Sequence, residues 1–454
     1  MYRRIFKIII FLMVVSIFLQ NCALIKSEKI IRRVNEQCIA DLNIDFFPES
    51  FVVSPDIRKV AFVEDSYDLC VVVNNEQKGC YDNIGIDTPI FSPTSEYVAY
   101  FAFTEGSSGG LFGLFSSEPY WTVVIDTIES QHYDNLLDNS LVISPDGNHV
   151  AYAIDDGYFF TVVLDNERIS LLTTTSEDDT TLYWYDDVIV PFVFSPDSKQ
   201  FVFITEIDYK WAVVVDQKFD KLYDYILFGT PVFSPDSKRI AYVAVEDNDC
   251  FIVLDGNEGR NIYEDIAGET VTFSPDSKHL AFAAKKSGKW FIERDGEIGK
   301  DYDAIGTSVI YSPDSKHLAY TAISGNEWVV VLDENEIARY TNLAENSLTF
   351  SPDSKRLAFG AKKDDGLIVV IDGEESKVYE ALVTKPVFSP DSKHIAYTVQ
   401  TDKEQYVMLE ENEGIRYPAV ISHNGGKIMF NSSRSFHYIV TKDDNKIYLI
   451  EEFF

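Results

Sequence analysis

Residues from which metal and cofactor sites are built are scarce in this sequence of 454 residues. It has 5 cysteines and 7 histidines, and none of them form a C-x-x-C pair or an H-E-x-x-H motif, which are spacings that commonly hold zinc. A phosphate-binding Gly-Lys-Ser/Thr loop and a dinucleotide fingerprint are also missing. We therefore predict neither a metal site nor a cofactor.

Positive charge is also scarce. The chain has 39 lysines and arginines against 73 aspartates and glutamates, a formal net charge of −34. Such a surface repels nucleic acid phosphates and anionic membrane surfaces. Solvated carboxylates on turns and strand edges explain most of the excess, and a basic partner or diffuse cation binding is the alternative. We predict no nucleic acid partner.

Long helical periods are missing as well. After residue 40 no long segment repeats its apolar residues at helical spacing, whereas the chain has 32 phenylalanines and 26 tyrosines. Aromatic and β-branched side chains favour strands. The composition therefore predicts an all-β protein.

The first 21 residues have the pattern of an export signal peptide. Basic residues within positions 3–7 precede a twelve-residue apolar stretch, 8–19, which is too short for a typical transmembrane helix. Residues 19–22, Leu-Gln-Asn-Cys, resemble the lipobox of bacterial lipoproteins, although that family has small residues at the two middle positions. The resemblance implies that Cys22 is diacylated and becomes the first residue after cleavage. The alternative is an ordinary secretory signal.

Two of the remaining cysteines flank a turn. Cys70 and Cys80 lie about equally far from residues 74–77, and opposed positions on a hairpin bring Cβ atoms to bridging distance. An exported protein also meets an oxidising compartment. A Cys70–Cys80 disulfide is therefore a candidate, whereas Cys38 and Cys250 have no evident partner.

One phrase, Phe-Ser-Pro-Asp-Ser-Lys at residues 233–238, recurs along the chain. Its Ser-Pro pair begins at Ser54, Ser92, Ser144, Ser195, Ser234, Ser274, Ser312, Ser351 and Ser389. We interpret Ser422-His423-Asn424-Gly425 as an eroded tenth copy. Proline presets φ at the second position of a turn and aspartate suits the third. Apolar residues flank the phrase, so each copy predicts a β-hairpin.

Further positions keep a fixed distance from the motif serine. Large apolar residues recur 16 positions after it, an acid ends an apolar run 21 positions after it, and a tyrosine seven or eight positions later is expected to open a fourth strand. Four short strands in a unit of 38 to 40 residues are the blade of a β-propeller.

The phrase and the Ile-Ala-Tyr that follows it at residues 240–242 resemble the TolB-type, WD40-like (PD40) propeller repeat. The resemblance covers about residues 38–454 and implies a β-propeller. Only Gly147 keeps the glycine that this family has after the aspartate; serine is the usual residue here. We expect no room for the α/β domain that precedes the propeller of TolB, so its role in envelope integrity transfers only weakly.

The repeats predict one continuous ring of about ten blades, with two smaller rings as the alternative. The six copies from Ser195 to Ser389 keep their spacing without a linker. Residues 38–47 lie where a fourth strand is expected before the first turn, so they could pair with the last blade and close the ring. The expected domains are a signal peptide at 1–21, a tether at 22–37 and a propeller at 38–454.

Two insertions interrupt the spacing. The first lies between the second and third strands of the second repeat and carries four large apolar side chains beside glycines: Leu111, Phe112, Leu114 and Phe115. An apolar cluster on so acidic a chain is a candidate partner-binding loop; the alternative is that it covers its own ring face. The second insertion, around residues 173–181, is polar and is expected between the third and fourth strands, on the opposite face.

Possible catalytic patterns are weak. Residues 106–110 match G-x-S-x-G, but a nucleophile elbow at Ser108 requires a strand-to-helix turn, and a hairpin loop is expected here. Basic residues recur five positions after the motif serine, including His149, His279, His317 and His394. Like the motif aspartates, they are spread around the ring instead of converging as a calcium or transition-metal site would need. We predict no catalytic residue.

These observations favour a non-catalytic lipoprotein of the bacterial cell envelope whose propeller binds a protein partner. It would be exported, held at the periplasmic or surface side of a membrane by its lipid alone, with the outer membrane favoured. A propeller enzyme, a hydrolase or lyase acting at the central funnel, and a structural or adhesive surface protein are the alternatives. Near-uniform repeats favour a scaffold over an enzyme.

Overall fold

The computed structural model describes residues 30–42, 45–106, 117–155, 160–169, 171–176, 179–183, 187–219 and 221–454. Within these ranges the regular secondary structure is β-strand, apart from a single turn of 3-10 helix at Pro48–Ser50. The predicted all-β class is confirmed. No helix in the described part is long and apolar enough to cross a membrane.

The strands of the first half of the chain group into blades in sequence order. They are β1 (Arg33–Asp41); blade 1, β2 (Val52–Val53), β3 (Val60–Asp65), β4 (Leu69–Val73) and β5 (Glu76–Tyr81); blade 2, β6 (Asn83–Ile84), β7 (Ile90–Phe91), β8 (Val98–Thr104), β9 (Tyr120–Ile125) and β10 (Ile128–Glu129); blade 3, β11 (Val142–Ile143), β12 (Val150–Asp155), β13 (Phe160–Leu164) and β14 (Glu167–Ile169); a separate ribbon, β15 (Leu171–Ser176) and β16 (Asp179–Tyr183); and blade 4, β17 (Asp187–Phe194), β18 (Phe201–Ile207) and β19 (Lys210–Val215).

The second half continues the pattern. Its strands are, in blade 5, β20 (Tyr225–Ile226), β21 (Val232–Phe233), β22 (Ile240–Glu246), β23 (Asp249–Leu254) and β24 (Asn257–Glu258); in blade 6, β25 (Asp265–Phe273), β26 (Leu280–Lys286), β27 (Lys289–Arg294) and β28 (Glu297–Ile298); in blade 7, β29 (Ala304–Tyr311), β30 (Leu318–Ser324), β31 (Glu327–Leu332) and β32 (Asn335–Tyr340); in blade 8, β33 (Thr349–Phe350), β34 (Leu357–Lys363), β35 (Gly366–Ile371) and β36 (Glu374–Glu375); in blade 9, β37 (Ala381–Leu382), β38 (Val387–Phe388), β39 (Ile395–Thr401), β40 (Glu404–Leu409) and β41 (Asn412–Tyr417); and in blade 10, β42 (Ala419–Val420), β43 (Met429–Ser432), β44 (Ser435–Thr441) and β45 (Lys446–Phe453).

These sheets form one ring of ten antiparallel blades, a β-propeller. The prediction of a single ring is confirmed, and the alternative of two smaller rings is wrong. Within a blade the strands pair in chain order. The first strands are innermost, because those of blades 8, 9 and 10 together line one space of about 940 Å³ at the centre.

The ring is closed by the N-terminal strand. β1 pairs antiparallel with β45 and supplies the fourth strand of blade 10, as the sequence predicted for this region. The strand starts at Arg33, so residues 33–37 belong to the propeller and the expected boundary at 38 is corrected. A buried ion pair joins the chain ends: Arg32 binds Glu452, which also accepts the Tyr438 hydroxyl (2.7 Å).

Seven of the nine Ser-Pro turns are tied to the turn of the preceding blade by the serine that ends them. In blade 5 the Ser237 N–H donates to the Ser234 carbonyl (2.8 Å), and the Ser234 hydroxyl donates to Asp236 (2.7 Å). Ser237 has a φ of 62°, in the left-handed region that favours glycine. Its Oγ accepts the N–H of Asp197 from blade 4 (3.0 Å). This contact is a physical reason for serine instead of glycine at this position.

The same bond between blades occurs at seven boundaries among the described residues. The donor N–H and acceptor hydroxyl belong to Asp56 and Ser95, Asp146 and Ser198, Asp197 and Ser237, Asp236 and Ser277, Asp276 and Ser315, Asp314 and Ser354, and Asp353 and Ser392. All of these bonds link neighbouring blades at the same face of the ring, the one that carries the Ser-Pro turns.

Aromatic pairs fill the space between blades. The repeated tyrosine is the last residue of the fourth strand in β5, β32 and β41, and in five other blades it makes an isolated bridge to the start of the third strand, so the expectation that it opens the fourth strand is corrected. Its ring meets the ring at the centre of the next blade's second strand edge to face, with centroids 5.7–6.3 Å apart: Tyr81–Tyr100, Tyr133–Tyr152, Tyr223–Tyr242, Tyr263–Phe282, Tyr302–Tyr320, Tyr340–Phe359, Tyr379–Tyr397 and Tyr417–Tyr438. The core therefore lies between blades.

The tenth turn is not where the sequence placed it. Residues 422–425 lie between β42 and β43, two segments that both pair with β44 as inner strands, and the turn into the second strand is at Ser433–Arg434. The prediction of an eroded tenth copy of the Ser-Pro turn at 422–425 is therefore wrong. That segment instead contacts blade 1, where the Val53 N–H donates to the Asn424 carbonyl (2.9 Å).

The second insertion also lies elsewhere. β14 completes blade 3 directly after the turn at Asp165–Asn166, and the ribbon β15–β16 comes between blade 3 and blade 4. The insertion is thus not between the third and fourth strands, and its ends lie on the same face as the first insertion. The first insertion lies between β8 and β9, as predicted.

Candidate interaction surface

The two faces of the ring are built from different turns. Turns between first and second strands and turns between third and fourth strands lie on one face, which we call the Ser-Pro face. Turns between second and third strands and the links between blades lie on the other. We call this the insertion face, because residues 107–116 fall between β8 and β9 there.

The repeated basic position on the Ser-Pro face pairs with the acid 16 residues later. His279 Nδ1 lies 2.6 Å from Asp295, and Arg239 Nε donates to Asp255 (3.2 Å). The second oxygen of Asp295 accepts the N–H of Leu280 (3.0 Å). The same side-chain contact joins His149 to Asp165, His317 to Asp333, Arg356 to Asp372 and His394 to Glu410. Each carboxylate binds within its own blade, so these residues act locally.

The motif aspartates are turn residues. The Ser195 hydroxyl and the Lys199 N–H both donate to Asp197 and lower its pKa to about 2, and equivalent bonds from Ser274 lower the pKa of Asp276 to about 2. Hydrogen bonds favour the charged carboxylate because they stabilise its negative oxygens. No group of three or more possible metal ligands occurs in the described ranges.

Large exposed side chains mark the insertion face and the adjoining inner strands of blades 1–5. Tyr67 and Tyr209, in the second-to-third turns of blades 1 and 4, are 102% and 90% exposed. Ile86 and Phe228, in the turns between β6 and β7 of blade 2 and between β20 and β21 of blade 5, are 66% and 65% exposed. In blades 6–10 the second-to-third turns carry only glycine or polar residues, for example Ser287-Gly288. Among the described residues, large exposed apolar side chains in turns of these two kinds therefore occur only in blades 1, 2, 4 and 5.

Two cavities flank the inner strand of blade 2 on this face. One of about 340 Å³ lies between blades 1 and 2 and is lined by Phe47, Leu69 and Ile86, among others. The other, of about 380 Å³, lies between blades 2 and 3 and is lined by Ile86, Trp121 and Leu136. Both have the size of sites that receive a side chain or small ligand.

The residues singled out from the sequence have different outcomes. Cys22, Ser108 and the candidate loop residues Leu111, Phe112, Leu114 and Phe115 lie outside the described residues. The base of that loop is on the insertion face, where the backbone at Gly106 approaches the Ser117 carbonyl so closely that a Cβ would be 2.2 Å from it.

The cysteines of blade 1 also lie at this face. Cys70 and Cys80 are directly opposed in β4 and β5, and the structure joins them by a disulfide. The bridge is at the end of the strands nearest to Tyr67. Cys38 is exposed and Cys250 is buried, and both are free.

Sequence reasoning missed one buried acid. Glu293 in β27 is 6% exposed and lies opposite Phe282, at a position where the other nine blades have valine, isoleucine or methionine. Those residues are Val72, Val124, Val163, Val214, Val253, Val331, Val370, Met408 and Ile450. Aligning the repeats on the second-strand aromatic would have found it.

Comparisons with known proteins give structural likeness only. No family model and no curated protein matches the chain. Solved structures that resemble it include TolB from Acinetobacter baumannii, 14% identical over 66% of this chain and 78% of that one, with a TM-score of 0.26.

Two further structures show the same low similarity. A eukaryotic initiation factor is 12% identical over 75% of this chain and 90% of that one, with a TM-score of 0.42. The Dos1 propeller is 9% identical over 70% and 92%, with a TM-score of 0.34. Function therefore has to be inferred from this chain's own residues.

Proposed function

We propose that this protein is an exported, non-catalytic platform on which a protein partner binds. The partner docks on the insertion face over blades 1–5. The observation that carries the proposal is the unequal distribution of exposed aromatic and apolar side chains, represented by Tyr67, Ile86 and Tyr209. Exposed apolar clusters mark contact sites, and aromatic anchors supply much of an interface's binding energy.

Two more features support this half of the ring. Both insertions start from it, and two cavities lie beside Ile86. The disulfide of blade 1 constrains the outer hairpin next to Tyr67. A surface that is held rigid before binding loses less conformational entropy on association, so this region is suited to recognition.

The lipid anchor expected at Cys22 would fix the orientation of the ring. β1 begins at the Ser-Pro face, where Arg32 donates to the Asn412 carbonyl (3.1 Å) beside a third-to-fourth turn. Ten residues, 23–32, separate Cys22 from this strand and span at most about 35 Å. We propose that the Ser-Pro face is turned towards the membrane and the insertion face away from it.

Charge on the Ser-Pro face is compatible with that orientation. Six exposed lysines stand there, one per turn in blades 4–9, each beside the aspartate of its own turn: Lys199, Lys238, Lys278, Lys316, Lys355 and Lys393. This face is therefore less repelled by anionic headgroups than a surface of unpaired carboxylates would be.

A matched pair of surface variants tests the docking face. Tyr67→Ser, Ile86→Ser and Tyr209→Ser together should abolish capture of a partner from a cross-linked envelope fraction without changing the melting temperature. The control changes Lys238, Lys316 and Lys393 to serine on the Ser-Pro face and should retain the partner. If the control loses the partner and the first variant retains it, the partner docks on the Ser-Pro face and the proposal is wrong.

Deletion of residues 107–116 separates the two interpretations of the candidate loop. If it docks, partners are lost and the melting temperature is unchanged. If the melting temperature falls and the same partners remain, the loop covers its own ring.

Anchoring is tested independently of docking. Cys22→Ser should leave the protein exported but move it from the membrane pellet to the soluble fraction, because each buried CH₂ of a lipid contributes about 0.8 kcal/mol to anchoring. Unchanged partitioning would refute lipidation and leave the docking proposal untouched.

A further inference from the structure

Three blade boundaries share an arrangement of lysine, tyrosine and glutamate. Two residues before the repeated tyrosine stands a lysine, whose Nζ lies 4.9–5.6 Å from the centre of that ring: Lys221 over Tyr223, Lys300 over Tyr302 and Lys377 over Tyr379. Each ammonium also binds a glutamate of the next blade. This glutamate comes three residues after the acid that directly follows the third strand: Glu258, Glu336 and Glu413. An ammonium between a ring face and a carboxylate is stabilised by both.

The boundary between blades 5 and 6 departs from this arrangement at three positions. Tyr263 is present, but Asn261 stands at the lysine position and Ile298 at the glutamate position. The acid is supplied instead by Glu293 from inside the blade. Its Oε2 accepts the Tyr263 hydroxyl and the Asn261 amide (3.3 Å). The boundary keeps the ring and a carboxylate while its own sequence provides no ammonium.

A cavity of about 450 Å³ occupies this boundary. Ile252, Leu254, Leu280 and Phe282 supply apolar walls, and Glu293 is part of the lining. The other glutamate oxygen, Oε1, accepts no hydrogen bond within the described part of the chain. Burial raises the pKa of Glu293, because removal from water disfavours the charged form of an acid.

We propose that this cavity binds the ammonium group of a small aliphatic amine. The molecule shows the expected geometry at three other boundaries, where an ammonium lies over the tyrosine ring and binds a carboxylate. The alkyl chain of the ligand contacts the apolar walls, and its ammonium binds Glu293 and the face of Tyr263. The formal charge of −34 raises the local concentration of cations around the protein.

The basic side chains of the lining define the rest of the ligand. Arg239 is bound to Asp255 and Lys278 to Asp276. Arg260 makes no ion pair within the described residues and is exposed. A guanidinium at the cavity binds a carboxylate well. The preferred ligand therefore carries an anionic group at the end opposite to its ammonium.

Calorimetric titration of the full chain with three matched probes tests this site. 6-Aminohexanoate should bind more tightly than hexylamine, and hexanoate should not bind. Asn261→Lys introduces the lysine found at three other boundaries, so its own ammonium occupies the site, and it should weaken 6-aminohexanoate binding at least tenfold. Glu293→Val should do the same.

Glu297→Gln is the control, since it removes the same charge from an exposed position in β28 and should leave binding unchanged. Absence of binding to the wild type at millimolar probe would overturn the proposal. So would an unchanged Kd in Asn261→Lys, a variant that keeps the buried acid and thus remains informative if Glu293→Val does not fold. Equal binding of hexylamine and 6-aminohexanoate would remove the role of Arg260 and retain the ammonium site.

Discussion

At the scale of single residues, the serine that ends seven of the nine Ser-Pro turns balances two effects. Its left-handed backbone, with φ of 62° in Ser237, is strained for any residue with a Cβ. Its hydroxyl accepts a hydrogen bond from the preceding blade, which glycine could not do. The same residue thus closes a turn and contacts the neighbouring blade. Ser237 is 7% exposed, which agrees with this role.

Substitutions at Ser237 should separate the two effects. Ser237→Ala keeps the strain and loses the bond, so we expect a loss of about 1–2 kcal/mol of unfolding free energy. Ser237→Gly loses the bond but relieves about 1 kcal/mol of strain, so it should be less harmful than alanine. Chemical denaturation gives the order. Alanine as the milder change would mean that backbone strain at this position is negligible, and an alanine variant as stable as wild type would show that the hydrogen bond is not the reason for serine.

The aspartate of the turn predicts a dependence on pH. The Ser195 hydroxyl and the Lys199 N–H hold the folded-state pKa of Asp197 at about 2, below the value of about 3.9 in unfolded chains. The bond therefore contributes stability above about pH 4 that is lost as the pH falls towards 2. Asp197→Asn should have a lower melting temperature than wild type at pH 7, and the difference should shrink by pH 2.5. A constant difference would contradict this.

At the scale of elements, β27 differs from the other third strands in having a buried acid opposite the aromatic residue at the centre of the second strand. Glu293 faces the interior of the boundary between blades 5 and 6, where the other blades have an aliphatic side chain or methionine. Burying a carboxylate is costly unless it is well paired. The strand keeps its pairing with β26, so the fold tolerates a residue that the repeat alone would not select.

The cost of Glu293 should appear as a stability difference with the opposite sign of pH dependence. Burial raises the folded-state pKa of Glu293. Its contribution to the free energy of unfolding is therefore most favourable below the pKa of the unfolded chain, and it declines as the pH rises through the folded-state pKa. Glu293→Val should therefore stabilise the protein at pH 7 by about 1 kcal/mol, with a smaller gain at pH 4. In blade 7, Val331→Glu is the converse change and should destabilise. A destabilising Glu293→Val would show that the hydrogen bonds to Tyr263 and Asn261 outweigh desolvation.

At the scale of the whole molecule, the ring is held at one seam by residues from both ends of the chain. The side chain of Arg32 is 8% exposed and that of Glu452 is fully buried. Arg32 also donates to the Val407 carbonyl (2.9 Å) and lies over the Phe436 ring. Closure of the ring removes the free strand edges that blades 1 and 10 would otherwise expose.

Removing one partner of the Arg32–Glu452 ion pair should lower the free energy of unfolding more than replacing both partners with apolar residues. Arg32→Ala leaves Glu452 without its cation and should destabilise by about 3–5 kcal/mol, whereas Arg32→Met with Glu452→Leu should cost much less. Thermal unfolding measures both, and proteolysis near residue 33 reports opening of the seam. Equal losses in the single and the double variant would mean that packing of β1, not the ion pair, closes the ring.

The sequence by itself determined the architecture, because turn chemistry and strand periodicity repeat locally in every copy. The Ser-Pro turns, the number of units and closure by the N-terminal segment followed from it, as did the position of the first insertion. Where the motif had eroded, at 422–425, the periodicity assigned the wrong turn. The second insertion was misplaced because a three-residue strand, β14, ends before the extra residues begin.

Only the tertiary structure decided which residues of neighbouring blades contact each other. The hydroxyl of Ser237 meets Asp197 from another unit, and Asn261 meets Glu293 across a boundary. Such contacts join residues roughly one repeat apart and depend on how the blades pack, which local patterns do not encode. The same holds for the two faces: which exposed side chains share a surface was set by the direction in which each strand crosses the ring.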